Sequence, residues 1–165
     1  MNFTLKEYFY KLYNRSLVLL LLPIAEFLAI YYLILSGVLS KIVEDELADE
    51  ILLVSIPIIV LLILTIVHLE IGKRCKKISD EPSLGKRLDL YQPIVRRKVN
   101  SFVWVSFLLA VGFFITSDER FSVYFGVIII WFAWQWPSPR RVSYDLKLKG
   151  DERKMVMTKG EAFNI

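Results

Sequence analysis

Apolar residues in this chain gather into four long runs, roughly 16–36, 51–69, 102–116 and 121–136. A helix rises 1.5 Å per residue, so about 20 apolar residues are needed to cross a bilayer core about 30 Å thick. The first two runs, of about 21 and 19 residues, have that length. The last two, of about 15 and 16, are shorter and must borrow length from their flanks or thin the bilayer. The pattern predicts an all-α integral membrane protein with four transmembrane helices arranged as two hairpins, 16–69 and 102–136. A soluble buried hairpin is the competing reading for the second pair. Trp104, Trp131, Trp134 and Trp136 stand near its ends, where an interfacial aromatic belt would lie, and they argue against it.

The polar segments complete the organisation. In residues 1–15, Leu5, Phe9, Leu12 and Tyr13 recur at helical spacing while Lys6, Glu7 and Lys11 fall elsewhere. This predicts an amphipathic helix on the membrane surface, or else a plain extension of the first span. The connector 70–101 is basic and is punctuated by Ser79, Asp80, Pro82 and Gly85. Lys86 to Tyr91 forms a short element there, and Pro93 is expected to open the third span. In the tail, 137–165, Pro137 and Pro139 stop the fourth span, and Ser138 can cap a new helix with Pro139 as its first residue. That helix is expected to run to about Lys149, stop at Gly150, and be followed by a second one capped by Asp151. Asn14–Ser16 and Asn100–Ser101 begin the two halves alike, a hint of duplication that any two hairpins would also give.

Charge orients the pattern. Of the 21 Lys and Arg residues, 19 lie in 1–15, 70–101 and the tail; only Lys41 and Arg120 lie in the loops between paired runs. The first of those loops is acidic, with Glu44, Asp45, Glu46, Asp49 and Glu50. The positive-inside rule therefore predicts a multi-pass protein of a plasma or inner membrane with both termini in the cytoplasm. The net charge of +4 then reflects anionic headgroups rather than nucleic acid, for which no motif is present. The first run is too long for a cleaved signal and no small-x-small site follows it, so it is expected to be retained. The acceptor-like Asn2-Phe-Thr and Asn14-Arg-Ser fall on the cytoplasmic side and are set aside.

Candidate chemistry is sparse. Glu26 lies near the middle of the first run, where an ionisable group is costly unless neutralised or paired. It reads either as a proton or cation site or as a packing residue hydrogen-bonded to Ser55, Tyr31, Tyr32 or Tyr124. His68 and Glu70 are weaker interfacial candidates. No second histidine exists to complete a metal site, and a polar cap on a helix end explains the pair as well. Cys75, the single cysteine, cannot form an internal disulfide, and its basic neighbours alone do not make it a nucleophile. Small residues four apart, Ala25/Ala29, Ser106/Ala110 and Ser122/Gly126, suit close helix packing. No catalytic constellation and no cofactor or metal motif is legible. The expected function is a non-enzymatic assembly subunit that associates with itself or with another membrane protein through its spans and basic face. An oligomeric channel or proton-coupled transporter using Glu26 is the alternative, and an enzyme acting on lipid-like substrates from His68, Glu70, Asp80 and Glu81 is a third.

Overall fold

A computed structural model describes residues 4–160. Six helices and no strand occur among them: α1 (Leu5–Leu35), α2 (Glu46–Ser79), α3 (Leu84–Thr116), α4 (Arg120–Trp134), α5 (Pro139–Asp145) and α6 (Gly150–Met157). The first three have 31, 34 and 33 residues and are long and apolar enough to cross a membrane; α4, with 15, is shorter. At 1.5 Å per residue the long helices measure about 46–51 Å, well beyond a bilayer core. Each therefore continues past its apolar run into the basic segments.

Local chemistry sets the helix ends. Thr4 and Glu7 form a reciprocal capping box at the start of α1, with the Glu7 N–H donating to Thr4 Oγ1 and the Thr4 N–H to Glu7 Oε2. Asp45 caps α2, and Ser138 caps α5 with Pro139 in its first turn, as the sequence predicts. Residues 5–15 continue without a break into the first span, the plain extension that is one of the two readings, because Tyr8, Phe9 and Leu12 are buried in the same stripe as the residues above them. Other expectations differ. Pro93 does not open α3, which starts nine residues earlier; its neighbours Tyr91, Ile94 and Val95 are buried, and their packing outweighs the one backbone donor a proline removes. In the tail α5 ends at Asp145, and Gly150 begins α6 instead of closing α5.

The central element is α3. It packs against α1, α2 and α4, whereas α1 and α2 hardly approach each other. The linker between them crosses the end of α3, where the Ile42 and Val43 N–H groups donate to the Ile115 carbonyl. That carbonyl belongs to the last turn of α3 and lacks a partner within the helix. The first two long helices thus straddle α3 instead of pairing as a hairpin. One buried stripe runs the length of α3, Arg87, Tyr91, Ile94, Lys98, Phe102, Val105 and Leu109, at spacings of three and four. Half of its apolar window is buried, against 11% for α1 and 22% for α2. The outer helices therefore turn most of their apolar surface outward.

Aromatic rings join the layers. Phe27 of α1 stacks on Phe125 of α4 at 4.0 Å and on Phe113 of α3 at 5.2 Å. Phe102 stacks on Phe132 at 4.2 Å. At Gly112 α3 packs tightly on α4: a Cβ there would lie 2.5 Å from Phe121 Cε1.

Candidate functional site

Glu26 is half-buried on α1, immediately before Phe27 of the aromatic stack. Among the described residues no hydrogen bond or ion pair reaches its carboxyl. Among the described residues none of the expected donors, Ser55, Tyr31, Tyr32 or Tyr124, bonds to it. The Tyr31 ring stacks on Phe113 at 5.9 Å and Tyr124 meets Phe121 edge-on. Ala25 and Ala29 beside it are exposed, together with Leu21, Leu22, Leu28 and Tyr32. The other small pairs differ: Ser106 and Ala110 are fully buried inside the bundle, and Ser122 and Gly126 are half-buried.

His68 and Glu70 do not form a joint site. Glu70 is held by two guanidinium groups, Arg74 one turn on at 2.7 Å and Arg97 of α3 at 2.8 Å. Some desolvation opposes the effect, but the hydrogen bond from Arg97, its charge and that of Arg74 hold this carboxyl below the usual range. Its work is to tie α2 to α3. His68 is exposed and borders two cavities without touching Glu70 by any described bond. No group of three or more His, Cys, Asp or Glu side chains converges among the described residues.

The polar centre lies instead where the basic ends of the helices meet, beyond the apolar runs that end at Leu69 and begin at Phe102. Asp145, the last residue of α5, accepts a hydrogen bond of 2.7 Å from the buried Tyr91 hydroxyl. Its other oxygen lies 3.0 Å from Arg141 Nε, an ion pair without hydrogen-bond alignment. Lys98, only 8% exposed, donates to the Gln135 carbonyl at the end of α4. Burial pulls its ammonium down to about 8, with Asp145 acting in the opposite sense. Burial pushes the neighbouring Cys75 thiol up to about 11, which keeps it protonated and unreactive at neutral pH. Arg87 pairs with Glu152 of α6, and the Tyr8 hydroxyl donates to the Leu88 carbonyl. The Tyr91–Asp145 and Arg87–Glu152 contacts fasten α5 and α6 to α3, while the Tyr8 bond ties α1 to α3. Sequence reasoning missed the centre because Arg87 and Lys98 look like headgroup-facing charges. Their signal was position: both fall on the apolar stripe of α3, four residues before Tyr91 and before Phe102 respectively.

Two cavities open on this centre. One, of about 430 Å³, is bounded by His68, Cys75, Lys98 and Asp145. The other, of about 860 Å³, lies along α5, the following turn and α6; the two share Arg141, Tyr144 and Lys147.

These features define a class: an all-helical protein with three helices able to cross a membrane and a helical cap at its basic end. No protein-family model, curated protein or solved structure matches the chain.

Proposed function

We propose that the chain is a non-enzymatic membrane subunit that associates with other transmembrane helices through the outward face of α1. In this reading α4 is a fourth span and α3 with α4 forms a hairpin. Residues 5–15 lie as an amphipathic segment at headgroup level, and both termini face the cytoplasm with the basic end. The observation that carries it is Glu26, an unpartnered carboxyl flanked by the exposed small residues Ala25 and Ala29. A small-residue face admits a second helix closely, and a polar side chain in hydrocarbon finds its hydrogen bond on that helix. A second copy of this chain is the simplest such partner, since two Glu26 carboxyls sharing a proton satisfy each other. A channel or proton-coupled transporter assembled from several copies is the second reading, carried by the same residue.

The test is site-specific photocrosslinking in native membranes. A crosslinker at Leu28, on the exposed face, is expected to give a discrete protein adduct at twice the chain mass, and Glu26→Leu with Ala29→Leu to abolish it. A crosslinker at the buried Leu109 is the control. Adducts with lipid alone at Leu28 would overturn the proposal. Loss of proton flux in Glu26→Gln vesicles would move the reading to the transporter.

A further inference from the structure

The larger cavity at the basic end gathers cations along one concave surface. Five cations line it, Arg140, Arg141, Lys147, Lys149 and Arg153, and no carboxylate does. Some cations elsewhere at this end are held by acids: Glu70 holds Arg74 and Arg97, Glu81 holds Lys86, and Glu152 holds Arg87. Among the described residues no ion pair engages Arg140, Lys147, Lys149 or Arg153. Unopposed like charges gathered along one concave surface repel one another and focus a positive potential that an anion relieves.

The groove is built rather than incidental. The alternation Leu146-Lys147-Leu148-Lys149 sends both leucines into the core, 0% and 5% exposed, and leaves both lysines outside on the groove. Arg141 is fixed from two sides, by Asp145 and by the Tyr144 ring 5.5 Å from its guanidinium carbon. Ser143, 5% exposed, lines the wall with an Oγ that has no hydrogen-bond partner. Position narrows the ligand. Trp134, 82% exposed, borders the groove where the apolar run of α4 ends, and exposed Met157 borders it too. A tryptophan at the end of an apolar helix marks headgroup depth.

We propose that this groove binds the phosphate-bearing headgroup of an anionic membrane lipid. Guanidinium forks and lysine ammonium groups are the usual ligands of phosphate oxygens, and the exposed Trp134 and Met157 lie against the glycerol and upper acyl chains. With four unpaired cations, the groove takes a headgroup carrying two phosphates more tightly than one carrying one. Nothing here depends on what covers the outward face of α1.

The experiment is native mass spectrometry of the full chain in detergent, titrated separately with cardiolipin, phosphatidylglycerol, phosphatidylcholine, inorganic phosphate and a short single-stranded oligonucleotide. One anionic lipid per chain is expected to remain bound, cardiolipin most tightly, at concentrations where phosphatidylcholine does not bind. Lys147→Ala, Lys149→Ala and Arg153→Ala together are expected to weaken it about ten- to hundredfold. Lys73→Ala, Lys77→Ala and Arg96→Ala remove the same charge from the same end and are expected to leave it bound. Equal weakening by both triples would overturn the proposal in favour of diffuse attraction. Displacement of lipid by equimolar inorganic phosphate would overturn the lipid source, and tighter retention of the oligonucleotide would overturn the lipid class. Helix content of each variant by circular dichroism separates lost binding from lost fold.

Discussion

Two helical glycines in different surroundings show how much depends on a single group. A Cβ on Gly112 would stand 2.5 and 2.8 Å from the Phe121 ring and 3.0 Å from Ile56 Cδ1. Gly112→Ala is therefore expected to destabilise the protein by about 1–3 kcal/mol, more than the helix propensity it gains. Nothing lies within 4 Å of such an atom on Gly126, so Gly126→Ala is expected to stabilise by up to about 1 kcal/mol. Unfolding titrations in mixed micelles compare the pair. Lys98 and Cys75 set a second test. Lys98 has its pKa lowered in the folded state, to about 8, so between there and its ordinary value the unfolded chain holds a proton that the folded one lacks. Stability from this group rises with pH across that window. Cys75 has its pKa raised, to about 11, so its stabilisation is complete below the ordinary thiol value and is lost as pH rises toward 11. The two oppose each other. In Cys75→Ala the Tm is expected to rise by about 2–6 °C between about pH 8 and about pH 9.5, and adding Lys98→Met is expected to flatten it.

At the scale of elements, the tail helices are too short to persist alone, and tertiary bonds keep them in place. Tyr91 to Asp145 and Arg87 to Glu152 are the main polar ties between α3 and the tail. A buried hydrogen bond to a carboxylate contributes about 1.5–3 kcal/mol. Asp145→Asn or Tyr91→Phe is therefore expected to speed tryptic cleavage after Lys147 and Lys149 about ten- to hundredfold, whereas Glu70→Gln, which ties α2 to α3, should leave it unchanged. Much of this architecture was legible. The apolar runs located the long helices, Ser138 with Pro139 located α5, and the break at 80–83 falls where Asp80 and Pro82 put it. What was not legible has a common cause. Hydropathy counts residue types, but α3 is organised by a stripe that continues through the basic segment, with Arg87 and Lys98 occupying core positions. The same blindness assigned a helix start to Pro93 and a paired hairpin to α1 and α2, because neither local rule registers that both sides of α3 need covering. Glu26 was visible by its depth; that it lacks a partner within the chain is a fact of tertiary arrangement.

For the whole molecule the decisive quantity is height. α4 runs back along α3 from the turn at 117–119 to Lys98, whose ammonium holds the Gln135 carbonyl. Between Thr116 and Lys98 α3 rises about 27 Å, and α4 itself measures about 22 Å. A bilayer core near 30 Å must thin slightly or receive the flanking residues to match. The two ends differ in chemistry: acidic groups with Lys41–Asp49 and Arg120–Asp118 pairs at one, unneutralised cations and Trp134 at the other. If the charge asymmetry governs orientation, the acidic end faces outward and α4 is a full span. In a Cys75→Ser background, Glu46→Cys and Glu119→Cys should then react with a membrane-impermeant maleimide on intact cells, and Asp151→Cys only after permeabilisation. Reaction at Asp151→Cys alone would invert the molecule and would put the lipid groove on the outer leaflet. Protection of Glu119→Cys with labelling of Glu46→Cys would mean that α3 and α4 form a re-entrant pair that never emerges. That arrangement would leave the Arg120–Asp118 pair inside hydrocarbon, where its desolvation outweighs the attraction of two exposed charges, so labelling at both sites is the expected result.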